Sequence, residues 1–228
     1  MISPIQKEQI VNSAAFGQIV DNLNHSSFQN IGATLHQKLL KRIHYMVKEQ
    51  ILQTAMQQYE KYGIKGVSMN EIANKLRISK KTIYSEFRSK EEIITESLLR
   101  KLEQSNNETI RLINKSANAL EGLVWIGQGI GDTLARVCPA FFKDLSNFPE
   151  AYQQYTDYKE TLNTKLEKLF QKGVEEELLR KEENYEVIIK IYLEQLHYPA
   201  TPYKTKIINT FLRGICTQKG IQILDTFK

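Results

Sequence analysis

Nothing in the 228 residues approaches the roughly 20 consecutive apolar residues that a membrane-spanning helix requires. The opening MISPIQKEQIVNSAAFGQIV has neither a basic n-region nor a long apolar core, which argues against a secretory leader. Cysteine is scarce. Cys138 and Cys216 fit neither a disulfide framework nor a metal-ligand spacing, so they read as reduced core thiols of a cytoplasmic protein. The four histidines (His25, His36, His44, His197) are scattered, no H-E-x-x-H, P-loop or G-x-S-x-G occurs, and no second Glu-x-x-His makes a pair with Glu194-x-x-His197. These absences argue against a catalytic set, a metal and a cofactor. Sustained period-2 alternation and Asn-Gly or Asp-Gly hairpin signals are missing as well, which leaves an all-α fold.

Charge is present but unevenly placed. Residues 41–101 hold thirteen Lys and Arg against seven Asp and Glu, while residues 1–40 balance and residues 102–228 are one charge negative. The whole net charge of +5 therefore comes from one segment of about sixty residues. A basic block on a near-neutral remainder suggests a domain facing a polyanion. Charge alone fits a solvated face or a membrane surface equally well, so a motif has to decide.

Residues 1–42 are polar, rich in Asn, Gln and Ser and weakly periodic, and read as an extension that is frayed or disordered. Met46 begins an amphipathic helix and is a candidate natural start of the chain. In that helix Ile51, Ala55 and Tyr59 recur every four residues, and Gly63 stands where a helix would be capped. Ser68 then forms a capping box with Glu71, Ser79 caps a second short helix, and Ser89 with Glu92 opens a longer one. Ile72, Ala73, Leu76, Ile83 and Phe87 are the inward residues. Only Arg77 and Ile78 separate the two short helices, so these must cross steeply, and Ala73 is small enough to let them. The domain over residues 43–92 is thus a helix-turn-helix.

In such a unit the second helix enters the major groove and its first residues meet base edges. Here it starts Lys80-Lys81-Thr82. The ammonium groups suit phosphate or guanine, and the threonine methyl suits thymine. Tyr84 and Ser85 share the outer face, Lys90 is placed for another phosphate, and Ser68 and Ser79 offer hydroxyls or capped N–H groups. The expected partner is double-stranded DNA.

The run ILQTAMQQYEKYGIKGVSMNEIANKLRISKKTIYSEFRSKEEII resembles the N-terminal domain of TetR-type transcriptional regulators. The resemblance rests on the Tyr-Gly end of the first helix, on Ser68 before Glu-Ile-Ala, on Ile78-Ser79-Lys80-x-Thr82-x-Tyr84-x-x-Phe87 and on Ser89-Lys90-Glu91-Glu92. It implies a homodimer that binds a palindromic operator, represses, and is released by an unknown small-molecule effector bound in a C-terminal helical domain. A regulator of the same kind without an effector is the alternative. The family pattern puts Ser68, Lys80, Thr82, Tyr84 and Lys90 on DNA and leaves Lys81 and Ser85 to set specificity. Two residues depart from it. Arg77 stands where glycine is usual, costing about 1 kcal/mol if its φ is positive. Glu86 stands where an aromatic or histidine is frequent, and an acid there repels DNA unless it turns toward a neighbouring Lys or Arg.

Residues 93–228 read as a helical effector-binding and dimerisation domain. The glycines at 122, 127, 129 and 131 either allow close packing or leave room beside Trp125, the single tryptophan. Trp125, Gln128, Phe142, Tyr155 and Tyr192 are the expected effector pocket. Ile208, Phe211, Leu212 and Ile215, spaced i, i+3, i+4, i+7, are expected to join Ile188 and Ile191 in a four-helix dimer interface, the arrangement that the resemblance implies for the last two helices.

Overall fold

Apolar residues at helical spacing run through the chain, and the computed structural model is all-α. It describes residues 33–134, 136–181, 184–196 and 204–227, so residues 1–32 of the expected extension lie outside the described residues. Among the described residues ten helices run in order: α1 (Ala33–Tyr62), α2 (Met69–Leu76), α3 (Lys80–Glu86), α4 (Lys90–Lys115), α5 (Ala119–Leu134), α6 (Pro139–Leu145), α7 (Pro149–Glu175), α8 (Tyr185–Leu196), α9 (Lys204–Ile215) and α10 (Gln218–Leu224). Among the described residues the only extended pairing is an isolated bridge between Leu179 and Cys216.

The chain divides into two units. The first comprises the residues up to Leu98 together with Pro139–Ala151, and the second comprises Leu99–Cys138 with Tyr152 onward. Two expected boundaries thus fall inside helices: 42/43 lies within α1 and 92/93 within α4. Residues 139–151, expected in the C-terminal domain, join the first unit, where Phe141 and Leu145 are buried. Met46 lies well inside α1.

In the first unit α1 packs against α2, α3 and α6. Val47, Ile51, Leu52, Ala55 and Tyr59 of α1 are buried with Ile72 and Ala73 of α2 and Ile83 of α3, and Phe87 and Ile93 join them. Gly63 ends α1 with φ 79°, its N–H donating to Tyr59 O at 2.9 Å. A side chain at 63 would be strained by that φ, and its Cβ would stand 2.9 Å from Ala140 Cβ. The glycine therefore both turns the chain and admits α6.

The second unit has a core of its own, built from Leu120, Leu123, Ile126, Leu166, Phe170, Ile189, Tyr192 and Leu212. Tyr192 is fully buried, its hydroxyl donates to Leu123 O at 2.5 Å, and its ring lies 5.9 Å from both Phe170 and Phe211. A Cβ on Gly127 would stand 2.6 Å from the Tyr192 hydroxyl, so this glycine serves close packing of α5 on α8. No helix among the described residues is long and apolar enough to cross a membrane.

Candidate nucleic-acid interface

The start of α2 is fixed by a complete capping box. Ser68 Oγ accepts the Glu71 N–H at 3.2 Å and the Glu71 carboxylate accepts the Ser68 N–H at 2.6 Å. Those hydrogen bonds hold the Glu71 carboxyl below its ordinary pKa, with backbone Ser68 as the largest cause. Arg77 closes the helix in the left-handed region at φ 55°, ψ 37°. The Arg77 N–H reaches Asn74 O at 3.2 Å and the Ile78 N–H reaches Ala73 O at 3.1 Å, which is a Schellman turn built without glycine. Arg77 therefore does carry the positive φ on which its cost depends.

Ser79 caps α3, accepting the Thr82 N–H at 3.0 Å. Because α3 has seven residues, its two faces are easily told apart. Lys80, Lys81, Tyr84 and Ser85 are exposed, Tyr84 by 46%, whereas Ile83 is fully buried. Lys80 Nζ stands 5.8 Å from the Tyr84 ring centroid, so the i, i+4 pair presents its charge and aromatic edge together. Ser85 donates to Thr82 O at 2.8 Å and stays at the surface. The outer face thus presents these four residues to solvent.

Thr82 does not belong to that set. It is 5% exposed and its hydroxyl lies 2.8 Å from Ser79 Oγ. It is buried like its neighbour Ile83, unlike the exposed Lys80, Lys81, Tyr84 and Ser85. Lys90 is also differently employed. Its Nζ donates to Ile64 O at 2.7 Å and Val67 O at 2.6 Å, binding the turn between α1 and α2. Partial burial holds its pKa below that of an ordinary lysine, with the Asp144 and Glu71 carboxylates opposing that shift. Lys90 is thus a staple of the motif. Ser68 and Ser79 are exposed caps whose hydroxyl oxygens are already used as acceptors.

The acids near α3 are turned away. Glu86 Oε1 lies 2.7 Å from His44 Nδ1 of α1, so its partner is a histidine and not the Lys or Arg expected. Glu92 accepts the Arg88 N–H at 2.5 Å, and Ser89 accepts the Glu92 N–H at 3.1 Å. Sequence reasoning missed His44 and also Asp144, whose Oδ2 accepts the Lys65 N–H at 2.8 Å from 79 residues away. Neither contact has a local signal.

The second unit contains a cavity of about 660 Å³ between α4 and α5. Leu112, Ile126 and Ile130 give it an apolar side. Arg100, Lys101, Arg111 and Arg136 bring four cations to its wall against Glu103 and Glu108. Arg111 binds Glu108 through two hydrogen bonds of 2.7 and 2.6 Å. None of the five expected pocket residues lines it. On α5 the wall is Ile126, Gly129, Ile130 and Thr133, a register one position away from Trp125 and Gln128. Trp125 lies under Lys115, its ring 5.7 Å from Nζ, and Tyr155 lies under Lys159 at 5.2 Å. Tyr192 is core, and Phe142 belongs to the first unit, stacked edge-on with Phe141 at 5.4 Å.

The expected dimer residues also separate. Ile208 and Leu212 are buried in the core of the second unit, and Ile188, Phe211 and Ile215 are half-buried against it. Ile191 remains 40% exposed, and Val187, one turn earlier on α8, is 47% exposed. The α9 stripe chosen from its spacing is the inward one; the outward apolar pair is on α8.

Residues 51–96 match the model of the family described as bacterial regulatory proteins, tetR family. The chain is 25% identical over 161 residues to the biofilm operon icaADBC HTH-type negative transcriptional regulator IcaR of Staphylococcus aureus strain Newman, covering 68% of this chain and 84% of that one. In fold it is similar to a TetR-family transcriptional regulator from Agrobacterium tumefaciens, with a TM-score of 0.68, 16% identity and coverage of 76% and 100%. It is likewise similar to the transcriptional regulator FadR from Bacillus subtilis in complex with stearoyl-CoA, with a TM-score of 0.56, 16% identity and coverage of 72% and 95%.

Proposed function

We propose that the chain is a repressor of the tetR family, whose model residues 51–96 match, that it binds a palindromic operator as a homodimer, and that it is released by a small anionic effector. The observation that carries the DNA reading is the outer face of α3. Lys80, Lys81, Tyr84 and Ser85 are exposed on a helix whose other side is locked into the unit by Ile83 and Thr82. A helix of seven residues reads few base pairs, so two copies on two half-sites supply the specificity that one lacks. The exposed Val187 and Ile191 support the pairing. The negative regulator from Staphylococcus aureus supports repression.

For the effector, the α4–α5 cavity joins an apolar side to a cationic excess. That lining suits a ligand with an anionic group and a hydrocarbon part, the chemistry of the stearoyl-CoA held by the similar FadR. It disfavours a cation such as the choline bound by a similar regulator from Saccharomonospora viridis.

The test is a gel-shift titration against the DNA flanking the coding gene at about 0.15 M salt, because nonspecific binding weakens steeply with salt. Preference for that DNA over random sequence is expected. Lys81→Ala should relax preference at one position of each half-site, at a cost of about 1–3 kcal/mol there. Stearoyl-CoA should release the complex and choline should not. Absence of any sequence preference would end the repressor reading; retention of the complex with stearoyl-CoA would end the effector assignment alone.

A further inference from the structure

Helix α1 is longer than the helix-turn-helix requires. The family match begins at residue 51, whereas α1 begins at Ala33, five turns earlier at 3.6 residues per turn. Residues 33–48 contain no Asp or Glu. Lys38, Lys41 and Arg42 are exposed there, and Tyr45 is 64% exposed. Their spacing of i, i+3, i+4 and i+7 places all four on one face. Leu40, Ile43 and Val47 take the inward side, half-buried to buried. A basic stripe with a tyrosine at its end therefore runs along the outside of the first unit.

The position of the stripe is fixed by its neighbour. His44, next to Tyr45, holds Glu86, the last residue of α3, at 2.7 Å. The same contact engages the acid that ends α3. From Tyr45 back to Lys38 the helix rises about 10 Å, more than the spacing of adjacent phosphates along a strand.

We propose that Lys38, Lys41, Arg42 and Tyr45 form a second DNA-binding site, which grips the phosphate backbone beside the base pairs read by α3. This rests on the reading that α3 binds DNA. Lying outside the recognition helix, the site contributes affinity and salt dependence without sequence preference. Anionic lipid is the weaker fit, since the exposed stripe carries one aromatic residue and no aliphatic one to enter a bilayer.

The experiment uses the full chain and a duplex covering the segment it protects from hydroxyl radicals. Binding is followed by fluorescence anisotropy from 50 to 300 mM KCl for the wild type, for Lys38→Ala/Lys41→Ala/Arg42→Ala, and for Lys38→Arg/Lys41→Arg/Arg42→Lys. The alanine variant should lower the slope of log affinity against log salt by about 2.7, at roughly 0.9 per phosphate contact. It should lose affinity equally for the cognate duplex and a scrambled one, and its footprint should shorten. The charge-retaining variant should restore all three readouts. An unchanged slope and footprint, in a wild type that prefers its own DNA, would overturn the stripe alone. A wild type without any such preference would remove the DNA reading and the stripe together. Circular dichroism of both variants separates a folding defect, which would lower helicity, from the loss of contacts.

Discussion

Arg77 shows how much one residue can be asked to bear in this fold. Its φ of 55° is forced because α2 must stop and α3 must start within two residues, and the Schellman hydrogen bonds hold it there. An L-residue with a Cβ pays about 1 kcal/mol or more for that conformation, and glycine pays much less. Arg77→Gly should therefore raise the stability of the protein by up to about 1 kcal/mol, measured as an upward shift of the urea midpoint at constant m-value. If the arginine is retained for its charge, the same variant should bind its DNA more weakly in spite of being more stable. Lower stability on substitution by glycine would show that Arg77 is not strained. Thr82 gives the opposite lesson: a residue type suited to a thymine was placed by its neighbours on the buried side, where its hydroxyl joins the cap of its own helix.

At the scale of elements, the turn between α1 and α2 is held from two sides. Asp144 of α6 accepts the Lys65 N–H, and Lys90 of α4 donates to Ile64 O and Val67 O. The carboxylate is buried and its hydrogen bond half-buried, so removing it strands a backbone donor. Asp144→Ala should cost about 1–3 kcal/mol of stability, read from chemical denaturation, while Asp144→Asn keeps an acceptor and should cost less. Equal losses from both would mean that the charge, through its attraction to Lys90, matters more than the hydrogen bond. These clamps also explain what was legible beforehand. The helix starts at Ser68, Ser79 and Ser89 are written in local capping signals, and the inward residues of α1 to α3 follow from spacing within each helix. The bonds from His44 to Glu86 and from Asp144 to Lys65 join residues 42 and 79 positions apart, and no local pattern encodes them. In the second unit the spacing of Ile208 and Leu212 showed a buried face correctly, but spacing cannot say whether a face is buried by its own chain or by a second copy.

For the whole molecule, the proposed pairing needs a surface that joins two copies of the chain. Ile208 and Leu212 are excluded, since each is at most 1% exposed within its own chain. Val187 and Ile191 are the large apolar residues of α8 left at the surface, one turn apart and flanked by the ion pair of Glu186 with Lys190. Apolar residues at i and i+4 on an outward face, rimmed by charge, have the form of an interface core and polar rim. An acid placed there must be desolvated on pairing and would face its own copy across the two-fold axis, whereas in the free chain it stays in water at little cost. Ile191→Glu should therefore leave the thermal midpoint of the monomer nearly unchanged while converting the dimer to monomer in sedimentation velocity. Affinity for a palindromic operator should then fall steeply, because two linked half-site contacts become two independent ones. Affinity for a single half-site should remain as it was. An Ile191→Glu variant that sediments as a dimer would place the interface elsewhere on the second unit. One that is monomeric yet binds the full operator as tightly as the wild type would show that pairing is not what gives the short α3 its reach.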